Sequence, residues 1–245
     1  MKSLVNTILL KLGYRIEKVI PIVKPSPPLF KASYSQCGED ILIEYLFNLR
    51  GISLPSYIDI GANHPIAINN TYKFYAKGCR GLNIEPNKEL ASEFFKERPE
   101  DNTLSIGISS SEGYFSFYLF KDHTLNTFDK DDAANYIKAG HEFIKEEKTE
   151  TSTIFNVLKK YHNDVFPDLL SIDVEGLDFE IIKSIEFERS YPKVMCVETA
   201  EYSPIGAGKK RTELMNYIID KGYSLYADTN LNSIFVKNEF WLMNS

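Results

Sequence analysis

The stretch from Tyr57 to Glu85 constrains this chain more than any other. It opens on a short apolar run, Tyr57-Ile-Asp-Ile60, breaks at Gly61-Ala-Asn-His-Pro65, and closes on a second apolar run that ends in Glu85. Between them a helical pattern over residues 70–77 stops at Gly78. Strand, turn, crossover helix and second strand make a βαβ unit, whose parallel strands need both faces of the sheet covered. In such sheets ligands sit beyond the carboxyl ends of the strands, beside the first strand–helix turn. Gly61 lets backbone approach a ligand closely, and Asn63 tolerates a left-handed conformation that few residues accept. A carboxylate ending the second strand can accept two hydrogen bonds from the vicinal hydroxyls of a ribose. Gly61 and Glu85 stand 24 positions apart, near the ~20 of a nucleoside-binding unit.

The same alternation runs on either side. A helix is predicted over Glu39–Arg50, with Ile41, Leu42, Tyr45, Leu46 and Leu49 on one face and Gly51 stopping it. Asn87 is placed to cap a helix reaching about Arg98, and Leu104–Ile108 reads as the third strand. Tyr114–Phe120 alternates and is expected as an added hairpin strand after the turn Ser111-Glu112-Gly113. Helices over 151–161, 178–188 and 211–221 then alternate with strands Leu169–Asp173 and Val194–Glu198, before an antiparallel pair, Tyr223–Asp228 and Asn232–Lys237. The pattern is that of an α/β sheet with helices on its faces. Lys121–Glu150 is different in kind. It holds 5 Lys against 8 Asp+Glu, few aliphatics and a helix-like middle over Asp132–Glu147, so it is expected to be a lid or acceptor insertion outside the core.

Pro21, Pro25, Pro27 and Pro28 set off residues 1–30 as an N-terminal helix and connector, leaving 31–245 as the main domain. Leu4, Ile8, Leu9, Leu12, Ile16 and Val19 fall at helical spacing and suit a docking helix, with weak membrane-surface contact as the alternative. Lys11, Arg15, Glu17 and Lys18 interrupt that stretch, and it lacks a small-residue cleavage site. No apolar run reaches the ~20 residues of a membrane span. With 28 Lys+Arg against 34 Asp+Glu the formal charge is 28 − 34 = −6, and no basic block offers itself to nucleic acid. Cys37, Cys79 and Cys196 make neither a disulfide framework nor a zinc spacing, which points to a reducing cytoplasm.

Three further segments carry chemistry. Leu170-Ser-Ile-Asp-Val-Glu-Gly176 ends a buried strand on two carboxylates, Asp173 and Glu175, at the same sheet edge as the glycine turn. These could orient a ligand, bind a cation or act as a base; helix capping by Asp173 is the plainer alternative. Tyr34-Ser-Gln-Cys-Gly-Glu-Asp40 precedes the first helix, and Asn69-Asn-Thr71 opens the helix after the turn. The turn itself holds one glycine and a proline, where a pyrophosphate site wants three glycines in G-x-G-x-x-G. It therefore suits a nucleoside without phosphates, such as S-adenosylmethionine, better than NAD.

Taken in order, Ser35-Gln36-x-Gly38-Glu39-Asp40, Tyr57 to Pro65, Asn69-Asn-Thr71, Ile84-Glu-Pro86, Gly107-Ile-Ser109 and Ile172-Asp-Val-Glu-Gly176 resemble the successive motifs of the FkbM-type S-adenosylmethionine-dependent methyltransferases, from about residue 33 to 237. The resemblance implies a class I methyltransferase (Rossmann-like) fold, a seven-stranded, mostly parallel sheet of order 3-2-1-4-5-7-6. It also implies S-adenosylmethionine as cofactor and O-methyl transfer to a hydroxyl of a sugar or glycoconjugate precursor. By position, Gly61, Ala62 and Asn63 would line the methionine and ribose, Asp59 would support the turn, Glu85 would hold the ribose hydroxyls and Ile108 would meet adenine. Ser35, Gln36, Thr71 and Asp173 complete the cofactor candidates.

Methyl transfer needs the acceptor oxygen aligned and its proton removed. His64 is the candidate base, because the motif sets it in the crevice and histidine titrates near neutrality; its alternative role is to shape the turn. Asp173 or Glu175 could serve instead, while His123, His141 and His162 read as surface or lid residues. A divalent ion is not expected; were one used, Asp173 and Glu198 would be its ligands. The alternatives to a methyltransferase are a nicotinamide-dependent oxidoreductase and a non-catalytic nucleoside-binding protein on the same fold.

Overall fold

The computed structural model describes residues 31–174, 176–203 and 208–242. The amphipathic pattern of the first 30 residues and the candidate Glu175 lie outside the described residues. From Ala32 onward the chain forms one unit. In chain order its elements are α1 (Glu39–Leu49), β1 (Tyr57–Ile60), α2 (Tyr72–Ala76), β2 (Gly81–Ile84), α3 (Lys88–Glu97), β3 (Asn102–Leu104), β4 (Gly107–Ile108), β5 (Gly113–Phe120), a 3-10 turn (His123–Leu125), α4 (Lys130–Lys138), β6 (Phe143–Ser152), α5 (Ile154–Tyr161), β7 (Leu169–Ile172), α6 (Asp178–Lys183), β8 (Val194–Glu198), α7 (Thr212–Asp220), β9 (Tyr223–Asp228), β10 (Asn232–Lys237) and α8 (Asn238–Leu242).

The large sheet runs β3-β2-β1-β7-β8-β10-β9. Counting its own strands alone, that is the order 3-2-1-4-5-7-6 of the class I methyltransferase fold. All pairings are parallel except those of β10, which is antiparallel to β8 and β9. Its inner strands β1, β2, β7 and β10 are buried along their whole length because both faces are covered, and successive side chains go to opposite sides. Ile58, Ile60, Leu170, Ile172, Met195 and Val197 join one buried cluster, while Tyr57, Leu169, Val194 and Cys196 join another on the other face. Each such aliphatic side chain contributes about 1.5–3 kcal/mol by leaving water. Register matters most for function. Ile60 lies level with Ile84 and with Ile172, and Ile172 with Val197. Gly61, Glu85, Asp173 and Glu198, scattered along the sequence, therefore emerge at one edge.

Four details depart from the sequence reading. The third strand is Asn102–Leu104, paired with β2, whereas Gly107–Ile108 belongs to a separate three-stranded sheet, β4-β6-β5. Gly113–Phe120 is likewise a strand of that small sheet rather than an addition to the large one. Its partner is Phe143–Ser152, so the helix expected over Asp132–Glu147 ends at Lys138 and its second half is strand. Lys and Glu favour helices in isolation, but the ladder to β5 decides the conformation here. On α1 the buried face is Ile43, Leu46 and Phe47, with Tyr45 and Leu49 exposed. The helix is rotated from the expected stripe because Phe47 packs edge-on against Phe74 and tilted against Phe240.

Candidate functional site

The carboxyl edge of the large sheet opens into a cavity of about 270 Å³, walled on its other side by the small sheet and the turn that follows β5. Gly61 forms its floor at the end of β1. Its φ of +76° is left-handed, and a Cβ there would lie 1.8 Å from the Asp173 backbone oxygen. No side chain fits where two strand ends approach so closely. The Gly61 and Ala62 amides donate to the Ile84 carbonyl at 3.0 and 3.1 Å, which ties the turn to β2. Asn63 continues it at φ 51°, a conformation asparagine tolerates.

Glu85 is buried at the end of β2 and lines the cavity. One carboxylate oxygen accepts from the Asn63 amide and the other from the Asn87 amide, both at 2.8 Å. Burial pushes its carboxyl up to about 7, opposed by those two amides and reinforced by the Asp59 carboxylate. Asp173 and Glu198 also line the cavity. Burial and the neighbouring Asp178 carboxylate raise Asp173, with the Arg211 guanidinium pulling the other way.

A carboxyl group raised in the folded chain holds a proton there that the unfolded chain has already released. The stability it lends is present at low pH and is lost as pH rises through the folded value. For Glu85 the window runs from the ordinary 4.5 to about 7. The melting temperature of the ligand-free protein is therefore expected to fall between these pH values, and to fall less steeply in Glu85→Gln; parallel profiles would remove Glu85 as a source.

Asp59 sits one layer lower in the wall. Its Oδ2 accepts from the Thr71 hydroxyl at 2.8 Å and from the Asn69 amide at 3.4 Å. Thr71 is wholly buried and supports Asp59, while Asn69 and Asn70 reach the cavity. Beneath them lies a network that no spacing in the sequence advertises. The guanidinium of Arg98, with no exposed surface, donates to the Tyr57 hydroxyl at 2.9 Å, the Thr71 hydroxyl at 3.1 Å and Asn69 Oδ1 at 3.2 Å. It also pairs with Asp101 Oδ2 at 2.7 Å. Asp101 in turn accepts from the Gly81 amide and the Asn83 side chain. Arg98 therefore holds the Asn69–Thr71 segment in the shape that lines the cavity.

The segment before α1 acts in the same supporting way. Asp40 accepts from the Ser33 and Ser35 hydroxyls at 2.6 and 3.1 Å and from the Tyr34 amide at 2.8 Å. Glu39 accepts from the Thr229 hydroxyl at 2.6 Å and from Asn232 at 3.2 Å. These two buried carboxylates fasten the segment to the sheet, and Gln36 is the member that faces the cavity. Ser35 serves the fastening.

Of the expected cofactor residues, Gln36, Asp59, Gly61, Ala62, Asn63, Glu85, Ile108 and Asp173 come together on the cavity wall, and Ser35 and Thr71 stand behind it. Ile108 arrives there from β4 of the small sheet, not from the end of the third strand. His64 does not line the cavity. Its Nδ1 accepts from the Ile66 and Ala67 amides, both at 3.0 Å, and its Nε2 lies 3.7 Å from Glu93. The two amide bonds to Nδ1 are the geometry of its alternative role, shaping the turn. His123, read from sequence as a lid or surface residue, does line the cavity, as do Thr124 and Asn126. Only the insertion's folding into a turn against the cavity reveals them.

The conditional metal pair, Asp173 and Glu198, shares the wall, but Arg211 Nη1 stands 3.5 Å from Glu198 Oε2 and 3.0 Å from Asp178 Oδ2. A guanidinium already supplies positive charge beside Glu198. Among the described residues no group of three His, Cys, Asp or Glu side chains is arranged to hold a metal ion.

A family model described as the methyltransferase FkbM domain matches residues 59–225, well over half of the chain. No match was found among curated proteins. Among solved structures, a TehB-like SAM-dependent methyltransferase from Corynebacterium glutamicum is 12% identical, with 82% of this chain and 87% of that one covered, at a TM-score of 0.41. A candidate caffeoyl-CoA O-methyltransferase from Staphylococcus aureus is 12% identical, with 96% and 99% covered, at a TM-score of 0.45. At such scores the fold rests on the strand order and the family match.

Proposed function

The chain belongs to the FkbM methyltransferase family, and from that premise we propose that it transfers a methyl group from S-adenosylmethionine to a hydroxyl of a sugar or glycoconjugate precursor. When bound, S-adenosylmethionine supplies a methyl group activated by its sulfonium charge. The wall fits that cofactor chemically. A glycine approach that no Cβ could share, a carboxylate ending β2 and apolar Ile108 across the opening suit a nucleoside. Glu85 would accept the ribose hydroxyls, Gly61, Ala62 and Asn63 would face the methionine and ribose, and Asp173 with Gln36 would meet the amino-acid end.

The acceptor class rests on one observation. Besides Glu198, Glu201 and His123, the remaining wall carries neutral hydrogen-bonding groups, among them Asn70, Thr124, Asn126, Tyr202 and Ser203, and no Lys or Arg among its described residues. Hydroxyl and amide side chains match a polyhydroxylated acceptor partner for partner, and a site so built discriminates strongly against analogues lacking those groups. A wall without cations also disfavours a nucleic-acid acceptor. No described helix is long and apolar enough to cross a membrane; free Cys37, Cys79 and Cys196 suit the cytoplasm.

The test is transfer of tritiated methyl from S-adenosylmethionine to a panel of neutral methyl glycosides, amino acids and thiols. Label in alkali-stable O-methyl ethers of the glycosides is the expected result. Label confined to nitrogen, sulfur or carboxylate acceptors would overturn the sugar reading and leave the cofactor reading standing.

A further inference from the structure

We infer that His123 is the group that takes the proton from the acceptor hydroxyl, an inference that rests on the methyl-transfer reading above. The side chains of the cavity wall that could accept a proton are Asp59, Glu85, His123, Asp173, Glu198, Glu201 and Tyr202. Most already have partners. Both oxygens of Glu85 accept backbone amides, Asp59 accepts Thr71 and Asn69 within the wall, and Glu198 stands beside Arg211. The Tyr202 hydroxyl lies 2.7 Å from Nε2 of His141. Asp173 lies against Gly61, on the side assigned to the cofactor. Glu201 is exposed to water. His123 is the one histidine on the wall among the described residues. Imidazole is the side chain that changes charge near neutrality.

The turn that carries His123 is held by its own hydrogen bonds, as a proton acceptor for an aligned displacement requires. Asp122 accepts from the Thr124 amide at 3.1 Å and the Thr124 hydroxyl at 2.7 Å, capping the 3-10 turn. Asn126 closes the turn by accepting from the Phe120 amide at 2.9 Å. Leu125 is buried with Phe120, Ala133 and Tyr136. His123 is thus carried on a fastened turn that lines the cavity opposite the large sheet's edge. In the reaction the acceptor oxygen bonds to the methyl carbon as the carbon–sulfur bond breaks with its electron pair to sulfur. The hydroxyl proton passes to an imidazole nitrogen of His123 and later to water.

A histidine so placed must sense the charge that distinguishes S-adenosylmethionine from S-adenosylhomocysteine. Ring-nitrogen NMR titration of the full chain, saturated with each ligand in turn, reads this directly, with His123→Gln assigning the resonance. The expected result is a proton affinity of His123 about tenfold lower with S-adenosylmethionine than with S-adenosylhomocysteine, while His64 is unchanged. His123→Gln should bind S-adenosylhomocysteine as the parent does, which separates the proposal from a folding defect. Equal proton affinities in the two complexes would overturn it and leave the methyltransferase reading intact. Failure of both ligands to bind would overturn both.

Discussion

Alanine at Gly61 is expected to destabilise the protein by more than about 4 kcal/mol and to abolish cofactor binding. Two effects combine. The left-handed backbone, φ +76°, costs an alanine roughly 1–2 kcal/mol. The larger effect is crowding, because the new Cβ would stand 1.8 Å from the Asp173 carbonyl oxygen and 2.8 Å from its carbon. Neither backbone can retreat. The Gly61 amide is bonded to Ile84 and the Asp173 amide to Ile60, each at 3.0 Å. Gly51 provides the control, since at φ +73° an added Cβ would meet nothing within 4 Å. Gly51→Ala should lose only the backbone part, about 1 kcal/mol. Denaturant titration of both variants tests this; equal losses would show that the approach of β1 to β7 is not tight.

Arg98→Met is expected to cost about 3–5 kcal/mol, because removing one partner leaves the Asp101 carboxylate buried without its counter-charge. At this chain length that is a fall in melting temperature of roughly 10 °C. Arg98→Lys should recover little, since an ammonium cannot reach Tyr57, Thr71, Asn69 and Asp101 with one planar fork. The double variant Arg98→Met with Asp101→Leu should be less destabilised than the sum of its singles, by a coupling that a double-mutant cycle reads. A simple sum would mean that the pair does not interact as the geometry says. Binding should weaken with stability, because Arg98 also holds the Asn69–Thr71 segment.

The parts of the molecule that were legible in the sequence share a physical cause. The central strands of the large sheet are buried on both faces, so they appear as short, mainly apolar runs between turn residues; β1, β8 and β10 fall at their expected positions, as does the more exposed edge strand β9. The glycine turn and Glu85 were legible because close backbone approach and a carboxylate at a strand end leave few residue choices. The small sheet was not. Lys145–Glu150 is almost wholly charged, and its strand conformation comes from pairing with β5 across a separation that no local pattern encodes. The short stretch around Leu104–Ile108 is divided between two sheets for the same reason. Arg98 looks like any solvent-facing helix end until the chain returns over it. His64 sits in the motif but points into its own turn, and His123 lies in a polar insertion yet reaches the cavity.

What the cavity holds decides between a methyltransferase and its alternatives. The most direct measurement is calorimetric titration of the protein and its Glu85→Ala variant with S-adenosylmethionine, S-adenosylhomocysteine and NAD. The predicted result is binding of the first two by the parent chain, none of NAD, and affinity about a hundredfold weaker in the variant, as expected on losing hydrogen bonds to a charged acceptor. Binding of NAD alone, or undiminished binding of S-adenosylhomocysteine by Glu85→Ala, would contradict it.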